Sequence, residues 1–166
     1  GLQDGFFARI SQRGDRLVLS SLIGGNSFDY VYSMAIEPGG RILVAGLTSS
    51  SNFPVTSTAF QKTLAGNYDS FAARFSSTGS VLIASSLFGS TALDQANAIL
   101  PGGNGHMILA GYTESNNFPS TPDAFGFSAN TFGDAYLAVL KPLADEVVAR
   151  LLGEPWAERY SRLLFE

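Results

Sequence analysis

Short stretches with hydrophobic residues at both alternating sets of positions recur along the chain, separated by polar turns. Two of them, Ile42 to Thr48 and Met107 to Thr113, have Ala and Gly in the middle and follow Gly-rich turns. A strand that is apolar on both sides needs cover on both sides. The pattern therefore predicts buried β-strands in sheets that have neighbours on both faces.

Further stretches of about five to eight residues are rich in aromatic, β-branched and other apolar residues, which is typical of short strands. They are Phe6 to Ile10, Leu17 to Ile23, Val31 to Glu37, Phe71 to Phe75, Val81 to Phe88, Gln95 to Leu100 and Tyr136 to Leu140. With the two buried stretches, they predict an all-β chain.

One phrase is written twice at a spacing of 65 residues: "GRILVAGLTSSSNFP" begins at Gly40 and "GHMILAGYTESNNFP" at Gly105. The same offset aligns "DGFFARI" from Asp4, "DSFAARF" from Asp69 and "DAYLAVL" from Asp134. A fixed period of this length indicates a repeat architecture. The chain holds two full periods and the start of a third, with about four strands in each period.

A unit of four short strands with like units on both faces is typical of a propeller blade. Small residues at the strand centres would let neighbouring faces approach, while larger residues fill the widening outer gap. These small residues are Ala8, Ala45, Gly46, Ala72, Ala73, Ala110, Gly111 and Ala138. A β-solenoid usually has shorter repeats, and a β-sandwich gives no reason for an internal copy, although both remain alternatives.

The order "GG…DY…AIEPGGRILVAGLTSSSNFPVTSTAFQ…DSFAARF" resembles the bacterial beta-propeller repeat family called SBBP. The likeness covers residues 1 to about 141. It implies a multi-bladed propeller, found typically in secreted or surface-attached bacterial proteins, with no general catalytic residues. The second copy departs from the family pattern at "GSTALDQANAILPGG", and the third departs further.

The predicted fold is thus all-β, with about two and a half four-stranded antiparallel propeller blades in residues 1–144 and copies starting near residues 4, 69 and 134. Strands near 31–37 and 41–48 would be the inner pair of one blade, and those near 69–76 and 81–88 its outer pair. Propellers need about four to eight blades to close a ring. We therefore expect further blades in a longer chain, copies of this chain, or its C-terminal segment to cover the open faces.

Residues 145–166 differ from the rest in being amphipathic and rich in charge. Asp145 as an N-cap and Gly153 as a stop favour a helix. Pro155 could open a second helix. The alternative is a decayed strand pair, because "LLGEPWAERYSRLLFE" aligns with "LIGGNSFDYVYSMAIE" and residues 146–152 could form a strand. In either form, this tail would serve as a cap or a partner surface.

Composition excludes several classes of function. The net charge is -4 and only 14% of residues are charged, so clustered basic residues for binding nucleic acid are missing. The chain has no cysteine, which removes disulfides, thiolate metal sites and cysteine nucleophiles. No apolar run is long enough for a membrane helix.

Repeated acids are the candidate metal-binding and ligand-binding residues. Asp4, Asp69 and Asp134 recur at equivalent points and are the candidate metal ligands, while Asp29 and Asp94 recur likewise and are candidate ligand-binding residues together with Tyr30 and Tyr112. Carboxylates on one rim could hold Ca²⁺ or a polyol, because hard cations take several oxygen ligands. The alternative is that each Asp closes a turn through its own backbone. We expect no cofactor other than Ca²⁺ at these acids.

Aromatic residues are the candidate glycan ligands. Tyr30, Tyr32 and Tyr112 could stack on sugars, although Tyr is also an ordinary strand residue. The one histidine, His106, stands where the first copy has Arg41, and no nucleophile motif accompanies it. Paired acids for glycosidase chemistry stay open, because the fold sets their separation.

These observations predict a non-enzymatic, structural or adhesive module that presents loops to a protein or glycan partner. Extracellular or bacterial cell-surface localisation follows from the family resemblance. The alternative is a propeller that binds a glycan or Ca²⁺, or catalyses a reaction, at a site in its central channel.

Overall fold

The computed structural model describes residues 1–125 and 133–141, which form three antiparallel sheets and contain no α-helix. The predicted all-β fold is therefore confirmed for these residues. The strands are β1 (Gly5–Ile10), β2 (Leu17–Ile23), β3 (Asp29–Ile36), β4 (Ile42–Thr48), β5 (Asp69–Phe75), β6 (Leu82–Phe88), β7 (Asp94–Pro101), β8 (Met107–Thr113) and β9 (Asp134–Leu140). The predictions for 145–166 lie outside the described residues.

The first sheet contains β1 and β2, the middle sheet runs β3-β4-β5-β6, and the third sheet runs β7-β8-β9. No helix in the described part of the chain is long and apolar enough to cross a membrane. Four strands starting at Asp29, Asp69, Asp94 and Asp134 begin earlier than the hydrophobic pattern predicts. The reason is that each of these Asp residues pairs with a Thr at the end of the neighbouring strand.

The middle and third sheets share one register. Asp29 lies opposite Thr48 and Asp94 opposite Thr113, and both strand pairs shift register two residues later. The offset of 65 residues therefore relates strands that occupy equivalent places in their sheets. The β1–β2 and β5–β6 hairpins also correspond, since Gly14 and Gly79 have φ angles of 75° and 68° in equivalent turns.

The middle sheet is covered on both faces. Every residue of β4 and β5 is buried. One face packs on the first sheet through a cluster that includes Phe7, Ile23, Val44 and Phe71. The opposite face packs on the third sheet through Leu43, Ala45, Ala72, Phe88, Ala96, Ile99, Met107, Leu109, Phe118 and Tyr136. The predicted cover on both sides is confirmed for Ile42–Thr48.

For Met107–Thr113 the same prediction is wrong within the described residues. Met107 and Leu109 face the middle sheet and are buried, whereas Ile108 and Tyr112, on the opposite face, are only half-buried. On that outer face, Leu137 is 74% exposed. The cause is that no described element packs against the outer face of the third sheet.

The glycines of the repeated phrase are needed for close packing within a sheet. A Cβ at Gly46 would lie 1.7 Å from the Tyr30 carbonyl oxygen and 3.1 Å from the Phe71 ring. A Cβ at Gly111 would lie 2.1 Å from the Gln95 carbonyl oxygen and 2.6 Å from the ring of Tyr136, which is the counterpart of Phe71 in the next copy. Each glycine therefore lets an aromatic ring on the next strand lie across it.

The Phe of each Phe-Pro pair packs on that aromatic ring. The ring centroids of Phe53 and Phe71 are 4.6 Å apart, and those of Phe118 and Tyr136 are also 4.6 Å apart. Both Phe53 and Phe118 are buried. These contacts attach the long connection after the second strand to the third strand of each sheet.

Candidate functional site: buried aspartates between adjacent sheets

Buried aspartates begin strands at one end of the sheets. In the middle sheet, Thr48 ends β4 and stands between Asp29 and Asp69, which begin the two neighbouring strands. All three side chains are buried. Thr113 has the equivalent place in the third sheet, between Asp94 and Asp134.

Asp29 accepts hydrogen bonds from two hydroxyl groups and one backbone amide. Thr48 Oγ1 donates at 2.5 Å, Ser50 Oγ at 2.7 Å and the Gly25 amide at 2.8 Å. This carboxylate therefore closes its own preceding turn and ties it to the end of β4.

Asp94 repeats this network. Thr113 Oγ1 donates to one oxygen, while Ser115 Oγ and the Ser90 amide donate to the other at 2.9 and 2.6 Å. The sequence signal for both networks is the Thr-x-Ser spacing inside the repeated phrase, which predicts the hydroxyl donors once the Asp is placed.

Asp69 has a different set of donors. Gln61 Nε2 donates at 2.6 Å, the Ala65 amide at 2.8 Å and the Gly66 amide at 3.2 Å. Gln61 Oε1 in turn accepts from the Gly89 amide at 3.0 Å, so the side-chain amide connects the carboxylate to the end of β6.

Carboxylates of adjacent sheets face each other across a glycine. A Cβ at Gly89 would lie 2.7 Å from Asp94 Oδ2 and 2.9 Å from Asp69 Oδ1. A Cβ at Gly24 would lie 2.8 Å from Asp29 Oδ2 and 2.5 Å from Asp4 Oδ1. The acids thus meet in pairs across adjacent sheets: Asp69 at the start of β5 with Asp94 at the start of β7, and Asp4 just before β1 with Asp29 at the start of β3.

A backbone hydrogen bond fixes each pair. The Asp94 amide donates to the Tyr68 carbonyl oxygen at 2.9 Å, and the Asp29 amide donates to the Gln3 carbonyl oxygen at 2.8 Å. Tyr68 and Gln3 directly precede Asp69 and Asp4. In each pair, the backbone carbonyl just before one acid therefore accepts a hydrogen bond from the backbone amide of the other. Sequence reasoning identified the acids but missed their pairing, because the pairing depends on how the sheets stack.

Burial raises the pKa of Asp69 above its ordinary value, against the hydrogen bonds from Ala65, Gln61 and Gly66, and the Asp94 charge raises it further. Folding therefore disfavours ionisation of Asp69 relative to the unfolded chain.

We expect the free energy of unfolding to carry a contribution from Asp69 that is complete below the ordinary carboxyl pKa of about 4. That contribution is lost as the pH rises through the raised pKa. The variant Asp69→Asn should therefore show a less negative pH slope of stability just above pH ~4, measured by urea unfolding. An unchanged slope in Asp69→Asn would contradict the assignment.

A buried ion pair of the middle sheet also hydrogen-bonds to the turn before the third sheet's β8. Arg74 Nε donates to Glu37 Oε2 at 3.0 Å and Arg74 Nη2 to Glu37 Oε1 at 2.8 Å, and both side chains are buried. Arg74 Nη2 also donates to the Gly105 carbonyl oxygen at 2.5 Å, in the turn before β8. Sequence reasoning missed this pair, since Val139 and Gly102 stand at the equivalent positions of the next copy.

A second polar link crosses the same interface. Ser70 Oγ and the Tyr136 hydroxyl lie 2.8 Å apart. Burial raises the pKa of Tyr136 to about 12, against the Ser70 hydrogen bond and with a smaller contribution from the Asp94 charge. This phenol therefore remains neutral and acts as a structural hydrogen-bonding group near neutral pH.

The predicted metal ligands lie on three different sheets. Asp4 precedes β1 and lies 3.4 Å from the N-terminal amine, Asp69 begins β5, and Asp134 begins β9. Within residues 1–125 and 133–141, no group of three or more His, Asp or Glu side chains is placed to hold a metal ion. The geometry instead joins Asp69 to Asp94 and Asp4 to Asp29, and Ca²⁺ binding stays a prediction.

The predicted glycan ligands are also separated. Tyr30 belongs to β3 of the middle sheet, in a row of near-parallel rings with Phe28 and Tyr32 at centroid distances of 6.4 and 6.2 Å. Tyr112 belongs to β8 of the third sheet and donates its hydroxyl to Glu114 Oε1 at 2.6 Å. Tyr32, which is 47% exposed, is the most accessible of the three tyrosines.

His106 lies in the turn before β8, where its Nδ1 is 2.5 Å from the Gly103 carbonyl oxygen. This contact holds the imidazole against its own turn. The His106 side chain therefore supports the turn that leads into β8.

Comparison of the chain with models of known protein families gives no match, and comparison with curated protein sequences gives none either. The resemblance to SBBP repeats therefore stays a prediction that rests on the residues quoted above.

Proposed function

We propose that the chain is a stretch of a β-propeller that serves as a rigid, non-enzymatic scaffold and presents its connections to a partner. The supporting observation is the stacking of repeat-related sheets on both faces of the middle sheet. A secreted or bacterial surface protein is the setting that the SBBP resemblance implies.

The shape of the interface between the middle and third sheets supports blades rather than a flat stack. β3 and β4 approach β7 more extensively than β5 does. Ala45 and Ala96 lie on β4 and β7, whereas Phe88 and Tyr136 lie on β6 and β9, at the opposite edges of the two sheets, with Phe118 against both rings. Small side chains towards one edge and aromatic rings towards the other would suit sheets that fan around an axis.

The use of the buried polar groups supports a structural role. The carboxylates of Asp29 and Asp94 accept hydrogen bonds from turns and strand ends. Both carboxylate oxygens of Glu37 accept hydrogen bonds from Arg74. A catalytic acid or base needs access to a substrate proton. These groups instead connect strands and sheets.

Thermal unfolding with Ca²⁺ or with a chelator tests the scaffold against the Ca²⁺-binding alternative. We expect the same Tm in about 5 mM CaCl₂ and in about 5 mM EDTA if the chain binds no Ca²⁺. An ion that binds only the folded state would instead raise the Tm by mass action. A Tm rise with Ca²⁺ that disappears in Asp69→Asn would overturn the plain scaffold and assign the acids to a metal site. Mg²⁺ at equal ionic strength is the control.

One observation favours a second candidate function, glycan binding. Tyr30 and Tyr32 on the edge strand β3, with Phe28 just before it, present three near-parallel rings. Phenol hydroxyls next to apolar rings suit the mixed polar and apolar surface of a sugar. This candidate places the site on β3, the edge strand of the middle sheet.

A glycan array tests it. If the row binds sugar, Tyr32→Ala should lose at least about tenfold in affinity, a change of ~1.4 kcal/mol, while the matched control Tyr112→Ala on the third sheet should bind as the parent does. Equal binding by both variants would contradict the platform on β3, and absence of binding by the parent would leave the scaffold as the function.

A further inference from the structure

The strand β1 has one edge without a neighbouring strand. In the middle sheet, the equivalent strand β5 lies between β4 and β6. Within residues 1–125 and 133–141, β1 pairs with β2 alone, so the edge that corresponds to the β4 side of β5 has no strand against it. Backbone groups on such an edge are a template for a further strand.

An aromatic side chain of β1 is exposed where its counterpart is buried. Phe6 is 66% exposed, whereas Phe71, which stands 65 positions later, is fully buried. In the middle sheet, Gly46 of β4 lies opposite Phe71 and lets the ring lie across it. Gly111 lies opposite Tyr136 in the third sheet in the same way. A strand that completes the first sheet is therefore expected to have glycine opposite Phe6.

A charged side chain of β1 lacks the partner that its counterpart has. Arg9 stands 65 positions before Arg74, which is buried and donates to both carboxylate oxygens of Glu37, just after β3. Arg9 is exposed, and in the part of the chain that the structure describes it forms no ion pair. A carboxylate at the place of Glu37 would give Arg9 the same bidentate contact. The free edge therefore favours an incoming strand pair that carries an acid.

The sequence shows which segments have the matching strand. In the middle and third sheets this strand contains Ala-Gly-x-Thr, with Gly opposite the aromatic ring and Thr opposite the Asp that begins the next strand. The order occurs twice in the 166 residues, at 45–48 and 110–113. Both copies belong to strands, β4 and β8, that already lie between two strands of their own sheet. A second copy of the chain therefore has no such strand to give without opening one of its sheets.

We propose that the free edge of β1 binds a β-hairpin from a polypeptide segment outside residues 1–166. The second strand of the hairpin pairs antiparallel with β1, with Gly opposite Phe6 and Thr opposite Asp4. An acid after its first strand pairs with Arg9. This inference rests on strand pairing within one sheet and does not depend on the proposed scaffold function.

A synthetic peptide of residues 26–50 is the probe, because it contains the β3–β4 hairpin with its acid and its Ala-Gly-x-Thr. We expect the fluorescently labelled peptide to bind the full chain saturably, measured by anisotropy. Phe6→Ala in the chain should weaken binding at least about tenfold, because the docked strand covers this ring. The control Val81→Ala changes an exposed apolar residue just before β6 and should bind as the parent does.

The pairing of Arg9 with an acid is tested by changing both partners. Arg9→Met in the chain and Glu37→Gln in the peptide should each weaken binding, and the two together should weaken it by less than the product of the two single effects. Because Arg9 is exposed in the free chain, its substitution leaves the starting protein folded. Losses that simply multiply would overturn the assignment of Arg9 to an acid.

Because the chain has no cysteine, a disulfide tests the place and the register of the peptide. Val44 lies opposite Ala73 in the middle sheet, so Val44→Cys in the peptide should lie opposite Ala8→Cys in the chain. Opposed strand residues have Cα separations of about 4.5–5.5 Å, within the range of a disulfide. Mild oxidation should join these two thiols, read by intact mass, and should join Ala45→Cys in the peptide far more slowly. A peptide that replaced β3 and β4 in the middle sheet would leave the Ala8→Cys thiol reduced, which would overturn the site.

A variant with a second copy of residues 26–65 ahead of Gly1 keeps the spacing of 65 residues and raises the effective concentration of the hairpin. We expect the same disulfide between Ala8→Cys and Val44→Cys of the added copy. Reduced thiols in this variant, together with no saturable binding of the free peptide, would overturn the docking. Binding that is unchanged by both Phe6→Ala and Arg9→Met would place the peptide elsewhere and overturn it as well. None of these outcomes decides the scaffold function, which the Ca²⁺ and glycan experiments test.

Discussion

Replacing Gly46 with alanine is expected to cost at least about 3 kcal/mol of folding free energy, the upper part of the range for an overpacked core. The added Cβ would lie 1.7 Å from the Tyr30 carbonyl oxygen, and a backbone atom cannot rotate away as a side chain can. Relief would require β3 to separate from β4 where the Phe71 ring already crosses the glycine. Urea unfolding followed by circular dichroism measures the change.

The matched control for this substitution is Gly103→Ala. A Cβ at Gly103 has no neighbour within 4 Å and its φ is not positive, so its stability should stay within about 0.5 kcal/mol of the parent. Equal stability of the two variants would show that the strands are not packed as described.

The second large effect is expected for Arg74→Met. The substitution leaves the Glu37 carboxylate buried without its partner, and breaking a buried pair in this way costs about 3–5 kcal/mol. The double variant Glu37→Leu with Arg74→Met removes both charges and should recover more than half of the loss, since well-packed apolar pairs are often as stable as buried ion pairs.

A double-mutant cycle of Glu37 and Arg74 by urea unfolding measures this coupling. The hydrogen bond from Arg74 to the Gly105 carbonyl oxygen is lost in both variants that lack Arg74, so it cancels from the coupling. A double variant as unstable as the sum of the two single variants would contradict the account, because the two side chains would then not act on each other.

The strands were predictable because a strand face that is buried in the fold is made of apolar residues in the sequence. Ile42–Thr48 is apolar on both alternating faces, and the structure covers both with neighbouring sheets. The same pattern in Met107–Thr113 predicted cover that the described residues supply on one face only. A strand's own sequence reports how apolar its faces are, and does not report which neighbours are present.

The candidate site was predictable in part. The period of 65 residues identified the aspartates, because each occupies an equivalent place in a repeat. Their pairing across Gly24 and Gly89 was missed, since it depends on the distance between sheets. The Glu37–Arg74 pair joins residues 37 positions apart and has no counterpart in the next copy, so neither spacing nor repetition indicated it.

The central claim is that repeat-related sheets fan around one axis. A crystal structure of the protein tests it through the rotation that superposes β3, β4 and β5 on β7, β8 and β9. The account predicts a rotation of about 45–90°, as four to eight blades require, with the same axis and angle superposing β1 and β2 on β5 and β6. A shift along a straight line with little rotation, or two different axes, would contradict it.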